Sequence, residues 1–152
     1  MIKRLGDARY EPRYVKKLGQ ADGNGLKIID WAPDSSKILL HQYEWVYETD
    51  SHNYDQPVLY DIPSARGVEL DMDLLLRKFF GRQCRLQTIG LGFTAKNEPV
   101  IRRQLQPWDE WAMGNDVCTR KNLSWMIDLA SNELRLVPHG YRPQHYGRKE
   151  PK

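Results

Sequence analysis

Leu26-Lys27-Ile28-Ile29-Asp30-Trp31-Ala32-Pro33-Asp34-Ser35-Ser36-Lys37-Ile38-Leu39-Leu40-His41 is the stretch whose reading decides the fold class. A short apolar run ends at Trp31, and a second begins at Ile38 and continues to Tyr47. Between them, Pro33 presets φ, while Asp34, Ser35 and Ser36 offer side-chain oxygens to nearby backbone N–H groups. Two apolar runs joined by such a turn predict a β-hairpin.

The same pattern returns in Gln87-Thr88-Ile89-Gly90-Leu91-Gly92-Phe93-Thr94-Ala95-Lys96-Asn97-Glu98-Pro99-Val100-Ile101-Arg102. Phe93 takes the place of Trp31, Lys96-Asn97-Glu98 form the turn, and Val100-Ile101 align with Ile38-Leu39. A second pair of segments also recurs. Val58-Leu59-Tyr60-Asp61-Ile62-Pro63-Ser64-Ala65-Arg66-Gly67-Val68-Glu69-Leu70 reads strand, turn, strand, and so does Trp125 to Leu136, with Asp128 matching Asp61 and Ser131 matching Ser64. Four strands repeated in one order predict two structural repeats. The expected fold is mainly β: two four-stranded antiparallel, blade-like sheets, too few for a closed ring, with one short connecting helix. That helix is expected over Asp71 to Gly81. Acids open it, bases close it, Gly81 suits the C-terminal cap, and Met72, Leu75, Leu76, Phe79 and Phe80 fall on one face.

Asp30-Trp31-Ala32-Pro33-Asp34-Ser35-Ser36-Lys37-Ile38-Leu39 and Leu59-Tyr60-Asp61-Ile62-Pro63-Ser64-Ala65 resemble the TolB-like β-propeller repeat. The likeness covers 25–70 closely and 85–137 loosely, where the second hairpin lacks the Pro-Asp pair. It implies a blade whose inner strands form the first hairpin and whose third strand turns at Asp into the outer strand. Closed propellers generally use 4–8 blades. Two blades leave sheet edges open, which sheet packing, oligomerisation or a covering segment must protect. An extra strand from Tyr10 to Leu18 is one such segment. The organisation expected is one domain over 1–137, with repeats at 25–70 and 85–137 after an N-terminal extension, followed by a flexible basic tail at 138–152.

Composition narrows the function classes. Hydrophobic residues make up 40% of the 152 and charged residues 28%, a globular balance. No apolar run reaches the roughly 18 residues of a membrane-spanning helix, and residues 1–17 lack the apolar core of a signal peptide. The net charge of +3 comes from the ends. The first 24 residues carry six basic and three acidic groups and the last 15 carry four and one, leaving 13 basic and 16 acidic residues between them. A nucleic-acid binder concentrates base on its folded surface, so no nucleic-acid partner is expected.

Candidate sites lie in the connections between strands. Tyr43, Trp45 and Tyr47 alternate with Glu44, Val46 and Glu48, which places the three aromatics on one strand face, as core or as a binding surface. Gln106 to Asp116 contains Trp108 and Trp111, suited either to a partner or sugar ring or to stapling the loop onto its own domain. Asp50, His52, Asn53 and Asp55 read as a polar loop without metal-binding spacing, and no metal or cofactor is expected. Cys84 precedes the first strand of the second repeat and Cys118 its third. In an up-and-down sheet these strands start at the same end, so the two thiols are either bonded or separately buried. A bond implies an oxidising compartment, periplasmic or secreted, with a signal removed beforehand.

No nucleophile motif, phosphate loop or dinucleotide fingerprint occurs. The sequence therefore predicts a non-catalytic binding module, which the TolB-like resemblance further implies, with a protein partner and with Trp108, Trp111, Trp45, Tyr43 and Tyr47 as the binding residues. Two other readings stand beside it. One is a two-blade unit that completes a propeller as a homo-oligomer. The other is a small glycoside-acting hydrolase using loop carboxylates such as Asp109 and Glu110, with carbohydrate as its ligand.

Overall fold

The computed structural model describes residues 23–45, 52–84, 86–104, 118, 123–138 and 141–143. Among the described residues the fold is mainly β, with two four-stranded antiparallel sheets, one helix and no closed barrel or ring. The first sheet has the order β1 (Gly23–Trp31), β2 (Lys37–Trp45), β3 (His52–Asp61), β4 (Arg66–Glu69). Helix α1 (Met72–Phe80) follows. The second sheet has the order β5 (Thr88–Phe93), β6 (Pro99–Arg103), β7 (Ser124–Asp128), β8 (Glu133–Leu136). Each sheet is a plain meander in which every strand pairs with its sequence neighbour.

The repeat extends to backbone detail. All four non-glycine residues with left-handed φ among the described residues sit in the sheet turns, in two matching pairs: Ser35 (φ 60) with Asn97 (φ 62), and Ala65 (φ 53) with Asn132 (φ 55). Both first hairpins carry a register shift in their inner strand, at Ile28/Asp30 and at Gly90/Gly92. Both third strands end in an Asp that caps its own turn. Asp61 Oδ2 accepts from Ser64 N (3.0 Å) and Ser64 Oγ (2.5 Å). Asp128 Oδ1 accepts from Ala130 N (3.0 Å) and Ser131 N (3.3 Å).

One alignment from the sequence is corrected by a residue. Trp31 lies opposite Ile38, but Phe93 lies opposite Pro99, so Leu40 corresponds to Ile101 and not to Arg102. The second hairpin is shorter because its turn closes differently. Ala32 N donates to Lys37 O in the first hairpin, whereas Thr94 N donates to Glu98 O in the second. There Thr94 Oγ1 accepts from Lys96 N and Glu98 N, both at 3.2 Å, in the role that Asp34 Oδ1 plays for Ser36 N at 2.8 Å.

Charge is exchanged between the repeats and compensated. Lys37 faces Asp61 at 4.0 Å in the first sheet. At the matching place in the second sheet, Glu98 stands near Asp128, and Arg135 bridges both, contacting Glu98 Oε1 and reaching Asp128 Oδ2 at 3.4 Å. Val68 occupies the position of Arg135 in the first repeat, where no cation is required.

The two sheets pack through β5, which lies against β1, β2 and β3. Glycine makes that approach possible. A Cβ at Gly90 would stand 2.8 Å from Leu39 Cδ2, and one at Gly92, whose φ is +142, would stand 2.8 Å from Asp30 Oδ2. The turns of the two first hairpins also meet, with Asp34 N donating to Asn97 Oδ1 at 3.2 Å. The main core contains Leu39, Phe93, Ile101, Trp125, Ile127 and Leu134, together with Met72, Leu75 and Leu76 of the helix.

Asp71 caps α1 by accepting from Leu74 N at 2.9 Å, Arg77 and Lys78 lie in its last turn, and Gly81 ends it at φ 69. A cap of this kind is worth about 1 kcal/mol. The buried stripe of the helix is continued by Phe79 and Phe80, which meet the Trp125 indole edge-on at 6.1 and 6.3 Å. The helix thus packs over the second sheet, with Lys78 Nζ donating to Asn132 O at 3.3 Å.

The faces used are equivalent positions in a head-to-tail arrangement. Ile101 and Trp125, which join the core shared between the sheets, correspond to Leu40 and Val58 of the first sheet. Those two, with Ile38 and Tyr60, form a separate cluster on the opposite side of the first sheet from Leu39. One sheet therefore presents its second face to the first face of the next, as successive blades do.

Candidate functional site

Where β1 and β2 approach β5 and β6, an open cleft of about 410 Å³ is lined by Lys27, Ile29, His41, Tyr43, Ile89, Gly90 and Gln104. It lies toward the end of the sheets away from the Asp34–Asn97 turn contact. The β1–β2 register explains its wall. Lys27 stands directly opposite His41, and Gly25 opposite Tyr43. Directly opposed residues share a sheet face, with Cβ atoms about 4.5–5.5 Å apart. Period-two alternation then puts His41 and Tyr43 on the same side as Leu39, facing the second sheet.

Glycine again sets the shape. A Cβ at Gly25 would overlap the Tyr43 ring, so the ring lies down over the glycine instead of standing off the sheet. Tyr43 keeps 37% of its surface exposed in this position. Ile29 and Ile89 supply apolar wall, one from each sheet. Gln104, just past β6, holds its place by donating its backbone N–H to Gln87 O at 2.8 Å. Its side-chain Oε1 is buried and has no hydrogen-bond partner among the described residues. An acceptor in that condition costs roughly 1–3 kcal/mol until a donor reaches it.

The lining combines cation, ring donors and apolar surface, and no carboxylate among the described lining residues opposes Lys27. Among the described residues, no group of three His, Cys, Asp or Glu converges as a metal site would require. Among the described residues, the three carboxyls held below the ordinary carboxylate range, Asp34, Asp61 and Asp128, are all turn caps. Asp34 is lowered first by its bond to Ser36, Asp61 by Ser64 and Asp128 by the Ser131 N–H. Their shifts report turn structure and not a poised acid or base.

The sequence candidates are placed unevenly. Tyr43 lines the cleft. Trp45 ends β2, opposite Gly23 and His52. Tyr47, Trp108 and Trp111 lie outside the described residues, as do Asp50, Asp109 and Glu110. In chain order, however, Trp108 and Trp111 belong to the connection that begins just after Gln104. The polar loop expected around His52, Asn53 and Asp55 is corrected: all three belong to β3, where Asp55 pairs with Tyr43 and His52 with Trp45. Cys84 and Cys118 are joined in a disulfide with a Cα separation of 6.0 Å, both 3% exposed and part of the main core. Lys27, His41 and Gln104, which build the polar side of the cleft, carried no signal in the sequence beyond their residue types.

No protein-family model, no curated protein and no solved structure matches the chain. Among the described residues no helix is long and apolar enough to cross a membrane.

Proposed function

We propose that this protein is a non-catalytic binding module of the TolB-like blade type, and that it takes a protein partner in the cleft between β1–β2 and β5–β6. The observation that carries this reading is the cleft itself. It forms where two repeats meet, has basic and aromatic residues on one wall and apolar residues on both, and includes one of the aromatics that the sequence marks for binding. Head-to-tail use of equivalent sheet faces and the paired left-handed turns support the blade type. The Cys84–Cys118 bond supports a periplasmic or secreted setting, because structural disulfides persist where thiols are not kept reduced.

Completion of a ring by further copies is the weaker reading. It requires an open face on the first sheet, yet Ile38, Leu40, Val58 and Tyr60 are already buried within the single chain.

The test is selection from a displayed random-peptide library against the wild-type protein and against His41→Trp, which fills the cleft. Sequences enriched on the wild type and lost on the variant are the expected result. Equal enrichment on both would place the site elsewhere, and failure to enrich any sequence would reject a peptide-binding function.

A further inference from the structure

We propose that the second sheet carries a docking face for another sheet, and that the chain segment following β8 occupies it, standing where the inner strand of a further repeat would lie. This surface is separate from the cleft and does not depend on what the cleft binds.

Matching one row of side chains in each repeat identifies the face. In the first sheet Asp30, Leu39, Leu59 and Val68 are successive cross-strand partners from β1 to β4. In the second sheet Gly92, Val100, Met126 and Arg135 form the same row from β5 to β8. Each row begins where the register shift of its inner strand ends. Directly opposed residues share a sheet face, so the two rows mark equivalent faces. In the first sheet that face receives the second sheet: Leu39 lies against Gly90 of β5 and is 0% exposed. Val100 is the counterpart of Leu39. By period-two alternation it points away from Ile101, which faces the first sheet and the helix. A residue in the middle of an uncovered sheet face keeps part of its surface in water. Val100 is 0% exposed, yet neither sheet nor helix among the described residues lies over it.

Pro143 is the described residue found at this row. Gly92 leaves a notch at the inner end, and the half-buried Pro143 fills it, its Cβ 3.4 Å from where a Cβ on Gly92 would stand. Proline suits a covered position because it brings apolar surface and no N–H that burial would leave unsatisfied.

The chain that carries Pro143 leaves the sheet at the opposite edge. Val137 N donates to Ser124 O at 3.0 Å, which prolongs the β7–β8 ladder, and Tyr141 N donates to Pro138 O at 3.1 Å, which closes a turn. From β8 to β5 is three strand spacings, about 14 Å. The chain from Val137 to Pro143 reaches about 20 Å at full extension, and the turn takes up part of that length. No slack is left for a detour round the strand ends, and the first sheet and α1 fill the other face. The segment therefore crosses the face that carries Val100. With the segment removed, Val100 and Met126 would form an apolar patch of the kind that sheets bury against one another. The simplest replacement is the same face of a second copy, because an isologous pair needs only one patch.

The test follows the methyl resonances of Val100 and Leu39 in the presence of a soluble paramagnetic chelate, whose relaxation effect reports exposure. In the full chain both residues should be equally protected. Pro143→Asp in the full chain sets a charge in the notch and should raise the effect at Val100 severalfold, with Leu39 unchanged. Deleting residues 138–152, with Val137 kept, should raise it further at dilution. At higher concentration the mass of the deleted chain by light scattering should move toward twice that of the full chain. A synthetic peptide of residues 138–152 should restore both the protection of Val100 and the original mass. The Leu39 methyls and the thermal transition show whether each variant is folded. Val100 as protected as Leu39 in both variants would overturn the placement of the segment. Leu39 becoming accessible together with Val100 would overturn it too, because the segment would then be holding the sheets together. An exposed Val100 in a chain whose mass never rises would overturn the docking assignment.

Discussion

Removal of the Cys84–Cys118 bond is a perturbation whose size follows from the fold. The cross-link joins residues 34 apart in sequence, tying the exit of α1 to the entry of β7. In the chain-entropy treatment a closed loop of this length restricts the unfolded state by about 3.8 kcal/mol at 25 °C. Replacing both cysteines by Ala keeps small apolar groups in the core, so the loop term dominates. For a chain of this size, 1 kcal/mol moves the Tm by about 2–4 °C, giving an expected drop of roughly 8–15 °C. The assay is urea unfolding followed by Trp fluorescence, to which the fully buried Trp125 contributes. Treating the wild type with reductant should reproduce the destabilisation of the double variant. A change below about 1 kcal/mol in both experiments would refute the reasoning, because it would mean that the unfolded chain gains little freedom when the bond is cut.

Four further outcomes follow from named contacts. Ala65 holds a left-handed φ of 53 where the matching residue is Asn132; Ala65→Gly should stabilise by about 0.5–1 kcal/mol in the same urea assay, the left-handed penalty less the added freedom of an unfolded glycine. Gly90→Ala drives a methyl against Leu39 and should destabilise by about 1–3 kcal/mol, with Leu39→Ala in the same chain costing less than the sum of the two single changes. Asp61 and Asp128 have folded-state pKa values below their unfolded ones, so their contribution is fully present above the unfolded value and is lost as pH falls through the folded one; Asp61→Asn should flatten the fall of Tm measured from pH 5 downward. Gly25→Ala displaces the Tyr43 ring from its resting place and should weaken peptide binding in the cleft by a larger factor than it lowers the Tm-derived stability, read by titration beside the thermal transition.

The β repeat was legible because its signals are local. Alternating apolar residues and turn-forming side chains act within a few residues of chain, and the Asp that caps each outer turn is visible as Asp61 and Asp128 in matching positions. The helix was legible for the same reason: Asp71 and Gly81 mark its ends in the sequence and do so in the structure. Two readings failed where local chemistry is ambiguous. A Thr94 hydroxyl replaced the Pro-Asp pair in closing the second hairpin, shortening it by one residue and shifting the alignment of β6. His52, Asn53 and Asp55 look like a loop by composition, yet β2 continues far enough to give them partners, so pairing overrode propensity.

The cleft was not legible, and the reason is general to packed sheets. Its residues come from four strands or strand ends in two repeats, and none of the types involved is unusual alone. What brings them together is the absence of side chains at Gly90 and Gly92, which lets β5 press onto Leu39 and beside Asp30. In sequence, Gly90-Leu91-Gly92 weakens a strand prediction and suggests only a close backbone approach. Its consequence appears once a second surface is present to approach. The first repeat has Ile28 where the second has Gly90, and the Ile28 side chain stays 54% exposed. The two repeats share strand order, the positions of their left-handed turn residues and the Asp caps of their third strands, and they differ at the inner strand that lines the cleft. Divergence between repeats at matched positions is therefore the sequence signal that could have pointed to the cleft, where likeness could report only the fold.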